Sequence, residues 1–222
     1  GLVSATANVT ANNGMFTTIV NTASFTDIQN SQHMQDLRQD FLAGKQPQTC
    51  RKCWREERSG RTSKRMHTLD RLKHMLPAQE WTVDAKPLMF LDLKLGNICN
   101  LKCRICGSWS SSSWATEEMA YLGPDADKKK HIAYTWLKQG AWPRKTETFW
   151  DNMRELLPNI KYMEFTGGEP WMIQEHFDLL RFAVEHGYGK NIDIHYNTNG
   201  TQAPTELVPL LSHLGRVDIA FS

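Results

Sequence analysis

The sequence predicts an α/β fold: four parallel strand–helix units preceded by a small cysteine-containing domain. Three observations predict it. Short apolar stretches with strand-like alternation recur at residues 88–95, 160–166, 191–196 and 216–222, and stretches with helical period separate them. Strands joined through helices pair in parallel with right-handed crossovers. The chemistry-bearing residues also gather at the carboxyl end of each strand, where such sheets place their sites. These are Cys99, Cys103 and Cys106 after the first, Gly167-Gly168-Glu169-Pro170 after the second, Asn197-Thr198-Asn199-Gly200 after the third, and Ser222 at the fourth. Finally, Cys50-x2-Cys53 and a polar connector bracketed by Pro77 and Pro87 set residues 1–80 apart from residues 81–222, with the boundary within 76–86.

A chain of 222 residues with 40% hydrophobic content can bury one sizeable core and a small second unit. A formal charge of +2 is too mild to imply nucleic acid. The longest apolar runs fall far short of a membrane span, and no secretory segment opens the chain. Five cysteines, an odd number grouped as C-x2-C and C-x3-C-x2-C, read as ligands rather than disulfides, which favours a reducing cytoplasm. Gly1 in place of Met is consistent with a processed or longer native N-terminus.

Taken in order, residues 1–30 are poor in charge and lack a helical period; pieces such as residues 15–20 suit one or two strands. A helix follows over 31–42, with Asn30 or Ser31 as its cap, Met34, Leu37 and Phe41 on one face, and Gly44 and Pro47 beyond its end. Cys50 and Cys53 then offer two thiols from one turn, half of a metal or cluster shell. A redox dithiol is the alternative, but no βαβ pattern surrounds it. Residues 51–74 carry nine Lys or Arg against Glu56, Glu57 and Asp70. The plain reading is a solvated helical face; the sharper one is a docking surface for an acidic partner.

After the first strand and its cysteine loop, a short helix is expected over 114–122. An insertion carrying Lys128, Lys129, Lys130, Trp136 and Trp142 follows over 125–143. Helices over 146–157 and 174–186 flank the second strand, the latter with Phe177, Leu180 and Val184 on its apolar face. His195, on the third strand, is expected to be a buried core histidine, with a substrate-facing role as the alternative. Pro204 suits a first helical turn, and Pro209 should start or distort the helix that carries Leu207, Leu210 and Leu211.

The loop Cys99-x3-Cys103-x2-Cys106 can set three sulfurs around three corners of a cubane, leaving one iron without a protein ligand. Thiolates are soft donors that select iron–sulfur clusters, zinc or cuprous copper. The other readings are a Cys3His zinc knuckle completed by His131 or His195, and unligated thiols.

C-x3-C-x2-C after one strand and Gly167-Gly168-Glu169-Pro170 after the next resemble the radical S-adenosylmethionine (SAM) superfamily, over about residues 88–222. The resemblance implies a partial (β/α) radical SAM barrel, a [4Fe–4S] cluster on Cys99, Cys103 and Cys106, and SAM chelating the open iron. It implies that Gly167, Gly168 and Glu169 receive the methionyl ammonium group, and that Ser222 touches the ribose. Asn199 is expected to contact the sugar or brace its loop, with a simple turn role as the alternative. Ile105 stands at the position near the adenine that is usually aromatic in the family. The implied reaction is one-electron cleavage of SAM to a 5′-deoxyadenosyl radical that abstracts hydrogen from a substrate.

The segment Phe25-Thr26-Asp27-Ile28-Gln29-Asn30-Ser31, with Leu37-Arg38 and Cys50-x2-Cys53, also resembles the auxiliary-cluster extension called SPASM or twitch. That implies a second iron–sulfur cluster, a peptide or protein substrate, and an electron donor of flavodoxin or ferredoxin type. The family's usual extension follows the barrel, whereas this segment precedes it. The competing reading is a non-catalytic iron–sulfur carrier or zinc-stabilised binding module. The family's barrel usually has six strand–helix units and four are seen here, so the native protein is expected to continue past Ser222 or to have a partner covering that edge.

Overall fold

The computed structural model describes residues 9–10, 16–17, 25–75, 82–84 and 87–222. The chain divides into two compact units, Gly1–Pro87 and Leu88–Ser222, each described by itself. Of the strands expected over 15–20, only 16–17 fall within the described residues. Most of the expected connector at 76–86 lies outside them.

In the first unit, β1 (Val9–Thr10) pairs antiparallel with β2 (Phe16–Thr17). Helices α1 (Phe25–Gln29) and α2 (Gln32–Leu42) follow. Ser31 occupies the N-cap of α2 but its side chain accepts nothing there, and α2 fully buries none of its residues, so the apolar face expected of it is only partly covered. A 3-10 turn, Gln48–Cys50, leads into α3 (Arg51–Arg58), whose buried anchor is Trp54. The indole donates to Pro47 O at 3.1 Å, the Phe41 ring lies 5.9 Å away, and the Arg65 guanidinium sits 4.5 Å over the indole ring. Arg65 comes from α4 (Lys64–Leu72), capped by Ser63. The basic stretch is therefore partly internal: Arg65 pairs with Glu57, and Lys73 with Asp70.

In the second unit, β3 (Phe90–Leu93), β4 (Tyr162–Phe165), β5 (Asp193–Thr198) and β6 (Val217–Phe221) form a parallel sheet in that order. It alternates with helices α5 (Ser112–Tyr121), α6 (Ile132–Gln139), α7 (Glu147–Leu156), α8 (Gln174–Glu185) and α9 (Leu207–Leu211). This is the expected α/β architecture, four parallel strands alternating with helices. Pro209 sits in the first turn of the short α9, where its missing N–H has no helical partner to lose. The third strand runs through Thr198, two residues past its expected end, because the ladder to β6 continues to Thr198↔Phe221. The insertion is pinned to the stem of the cysteine loop: Gly96 bridges to Ala141, Trp142 N donates to Leu95 O at 3.1 Å, and Trp142 Nε1 donates to Lys94 O at 2.6 Å. Among the described residues, no helix is long and apolar enough to cross a membrane.

Strand periodicity gives the sheet two faces. One carries Phe165 and Tyr196, stacked 5.5 Å apart and covered by α8 through His176. The other carries Asp92, Glu164, His195 and Asp218, aligned in one row by the strand register. His195 is thus half-buried in a polar row rather than in the core. The core histidine is His176, 0% exposed, its Nε2 2.6 Å from the Tyr196 hydroxyl. Burial drives its pKa down to about 3 and pushes the Tyr196 hydroxyl upward.

This pair predicts acid sensitivity. Between pH 6.5 and 3 the unfolded chain takes up a proton that folded His176 refuses, so stability is complete above pH 6.5 and falls as the pH drops. The full loss is roughly 5 kcal/mol. Urea unfolding midpoints from pH 7.5 to 4.5 should fall more steeply for the wild type than for H176F/Y196F, which removes both partners together. Parallel slopes would refute the assignment.

Candidate functional site

The site is built on the loop that leaves β3. Asn97, 3% exposed, donates Nδ2–H to Ser108 O at 2.8 Å, and its own carbonyl accepts from Ser112 N at 2.7 Å. These two bonds close residues 97–112 into a ring carrying all three thiols. Serines line it: Ser112 and Ser113 hydroxyls donate to Cys99 O at 3.1 and 2.9 Å, and the Ser111 hydroxyl donates to Leu101 O. Trp114 Nε1 donates to Cys103 O at 3.0 Å, and Cys106 N closes a turn onto the same carbonyl at 3.0 Å. The serine-rich stretch 107–113, which from sequence suits a loop or the start of a helix, is both: it frames the ring and, with Ser111 as the cap, begins α5.

Cys99 and Cys106 are half-buried, Cys103 is exposed, and Ile105 projects from the tip at 93% exposure. Burial, and then the neighbouring Cys103 and Cys99 thiols, push the Cys106 thiol up, while Lys94 pulls it down. The three sulfurs therefore share one electrostatic neighbourhood. Lys94 continues from β3 and donates Nζ–H to Ser110 Oγ at 3.0 Å; burial lowers its pKa to about 8, with Cys106 acting the other way. Among the described residues, no three or more His, Cys, Asp or Glu gather tightly enough to hold a single metal ion. The zinc-knuckle set with His131 or His195 is not assembled, and His131 instead caps α6. Three soft donors spread around a loop suit the corners of a larger cluster.

The Gly-Gly-Glu loop docks on this ring. Gly168 N donates to Ser110 O at 3.2 Å and Glu169 N to Ile98 O at 2.7 Å. Both glycines have left-handed φ, 72° at Gly167 and 67° at Gly168. A Cβ on Gly167 would lie 2.6 Å from the Lys94 stem, and one on Gly168 would lie 2.8 Å from Ile98 O. Glu169 is 1% exposed. Its Oε1 accepts from Trp171 N at 3.2 Å and Thr198 Oγ1 at 2.6 Å, and its Oε2 from Asn199 N at 2.7 Å. Of about four acceptor positions on a carboxylate, one remains.

The β5 loop closes the arrangement. Asn199 Nδ2 lies 3.6 Å from Cys99 Sγ and 3.1 Å from Asn100 Oδ1, and Asn100 Nδ2 donates to Thr201 Oγ1 at 2.8 Å. Ser222 N donates to Thr198 O at 3.0 Å, which brings the fourth strand end against the third. Cys99, Cys103, Cys106, Gly167, Gly168, Glu169 and Asn199 thus belong to one hydrogen-bonded assembly, with Ser222 joined through Thr198. Lys94, Asn97, Asn100, Thr198 and Thr201 belong to it too, although the sequence reading passed over their roles. Cys50 and Cys53 lie in the other unit, half-buried at the N-cap and in the first turn of α3.

Residues 93–222 match the family model described as Radical SAM superfamily. No curated protein and no solved structure matches the chain. With that match spanning more than half of its length, and with three thiols and a Gly-Gly-Glu turn at successive strand ends, the chain belongs to the radical SAM superfamily.

Proposed function

We propose that this chain is a radical SAM enzyme acting on a peptide or protein, with Cys99, Cys103 and Cys106 holding a [4Fe–4S] cluster that leaves one iron for SAM. The observation that carries this reading is the docking of the Gly-Gly-Glu loop onto the cysteine ring through Gly168 N–Ser110 O and Glu169 N–Ile98 O. When bound, the cluster and SAM supply one-electron cleavage to a 5′-deoxyadenosyl radical that takes hydrogen from an unactivated C–H bond.

The chain's own residues have distinct tasks in this reading. Gly167 and Gly168 expose backbone where side chains would block approach. Glu169 keeps one acceptor position for an ammonium group while its other bonds hold the β5 loop in place. Ser222 stands at the fourth strand end for contact to the ribose, Asn199 braces the neighbouring loop, and Ile105 is the candidate for the adenine. The substrate is assigned to the sheet face bearing Asp92, Glu164, His195 and Asp218, opposite α8.

In the first unit, Cys50 and Cys53 are proposed as half the ligands of an auxiliary SPASM/twitch-like cluster. An acidic flavodoxin- or ferredoxin-type protein is proposed as the electron donor, in a cytoplasmic setting. Anaerobic reconstitution with iron and sulfide, then reduction in the presence of SAM, tests the central reading. 5′-Deoxyadenosine should form, and SAM should change the electron paramagnetic resonance spectrum. Stoichiometric zinc without sulfide, or a cluster indifferent to SAM, would instead indicate a binding module or an electron carrier.

A further inference from the structure

Asn199 lies at the carboxyl end of β5, one hundred residues from the thiol it meets. Its amide orientation is set by its surroundings. Oδ1 accepts from Thr201 N at 2.9 Å and from Thr201 Oγ1 at 2.8 Å, which leaves Nδ2 to point at Asn100 Oδ1 and Cys99 Sγ. Flipping the amide would set its NH2 against the Thr201 N–H and its oxygen against the Asn100 oxygen, so the network admits one orientation. The backbone is held as well: Asn199 N donates to the Glu169 carboxylate, and that carboxylate is itself buried and fixed by Thr198 and Trp171. The donor is therefore aimed at the sulfur by two independent holds, one on its side chain and one on its main chain.

We propose that Asn199 is a positioning residue that sets the reduction potential of the cluster by donating its Nδ2–H to the Cys99 sulfur. The inference rests on the proposed [4Fe–4S] site. A hydrogen bond to a ligating sulfur stabilises the additional negative charge of the reduced cluster and so raises its potential. Cys99 is the thiol so served, with Leu101 N as a second donor at 3.5 Å that stays in place when the Asn199 side chain is changed; the turn around Cys103 and Cys106 is held by backbone and Trp114 contacts to carbonyl oxygen. Glu169 acts on the same property at one remove, because its carboxylate holds the Asn199 backbone.

The test is a potentiometric titration of the reconstituted full chain, followed by electron paramagnetic resonance, alongside iron counts. Asn199→Leu should retain the cluster and shift its potential to more negative values. Asn199→Asp should shift it further in the same direction, since a carboxylate brings charge and no donor. Thr201→Val should give a smaller shift of the same sign, and Asn199→Gln, which keeps a donor, should lie nearest the wild type. Full iron with an unchanged potential in Asn199→Leu overturns the proposal. If that variant holds no iron, the near-isosteric Asn199→Asp decides, and a wild-type potential there overturns it. A wild-type chain that forms no four-iron cluster overturns the site reading itself, an outcome the iron count separates from the others.

Discussion

Replacing any one of Cys99, Cys103 and Cys106 with alanine is expected to abolish the SAM-responsive cluster and reduce 5′-deoxyadenosine formation to background. The proposed site has three thiolates and one iron position left for SAM, so it offers no spare protein ligand. Loss of one sulfur leaves two irons without protein donors, and the nearest histidines by sequence reading are not gathered there: His131 caps α6. The loss should be chemical rather than structural, since the bonds that close the ring join Asn97 to Ser108 and Ser112, while the contacts to sulfur at Cys99, from Leu101 N and Asn199 Nδ2, are long at 3.5 and 3.6 Å. Circular dichroism and the thermal midpoint of the iron-free variants should therefore match those of the iron-free wild type. If the proposed auxiliary cluster is held by Cys50 and Cys53, replacing both with alanine should lower the iron count and leave the SAM-responsive signal in place. A single-cysteine variant of the 99–106 loop that still cleaves SAM would sink the assignment.

The second large effect is expected at Gly168. Alanine there must adopt φ near 67° and place its Cβ 2.8 Å from Ile98 O. That carbonyl cannot retreat freely, because it accepts the Glu169 N–H at 2.7 Å. Backbone strain and the weakened hydrogen bond together should cost about 2–4 kcal/mol. SAM binding should suffer as well, since the Gly-Gly-Glu loop must move off the cysteine ring. Gly187 is the control, with φ of 77° and open space where a Cβ would go. Gly187→Ala bears the strain alone, roughly 1–2 kcal/mol. Equal losses of thermal midpoint in the two variants, or normal SAM affinity in Gly168→Ala, would argue against this account.

The order of elements was legible because each rests on local pattern. The apolar face at Phe177, Leu180 and Val184 gave α8 its bounds to within a residue, and the C-x3-C-x2-C spacing announced the ring before any geometry. What local pattern could not carry was which polar group meets which across the sheet. Glu169 and Thr198 come together only because β4 and β5 lie side by side in parallel register, and nothing within either segment encodes that pairing. The core histidine proved to be His176 rather than His195 for a similar reason. His195 sits in an apolar-looking strand yet alternates outward, while His176, one residue before Phe177, is turned inward by the helix onto Tyr196. Beside Gly96 in the sequence, Asn97 suggests no more than the end of a strand. Its buried amide makes it the clasp of the loop instead, a distinction visible only once Ser108 is seen opposite it.

That clasp bears on how the protein matures. A binding loop that is ordered only by its metal collapses when the metal leaves, and its amide protons then exchange with solvent at the rate of an open chain. Here the framework of residues 97–112 is complete in protein bonds alone, so the amides of Cys106, Ser111 and Ser112 should remain protected against deuterium in iron-free protein. In the proposed iron–sulfur site, iron and sulfide would meet a finished cradle with Cys103 already exposed, and cluster insertion would be a ligand-exchange event rather than a folding event.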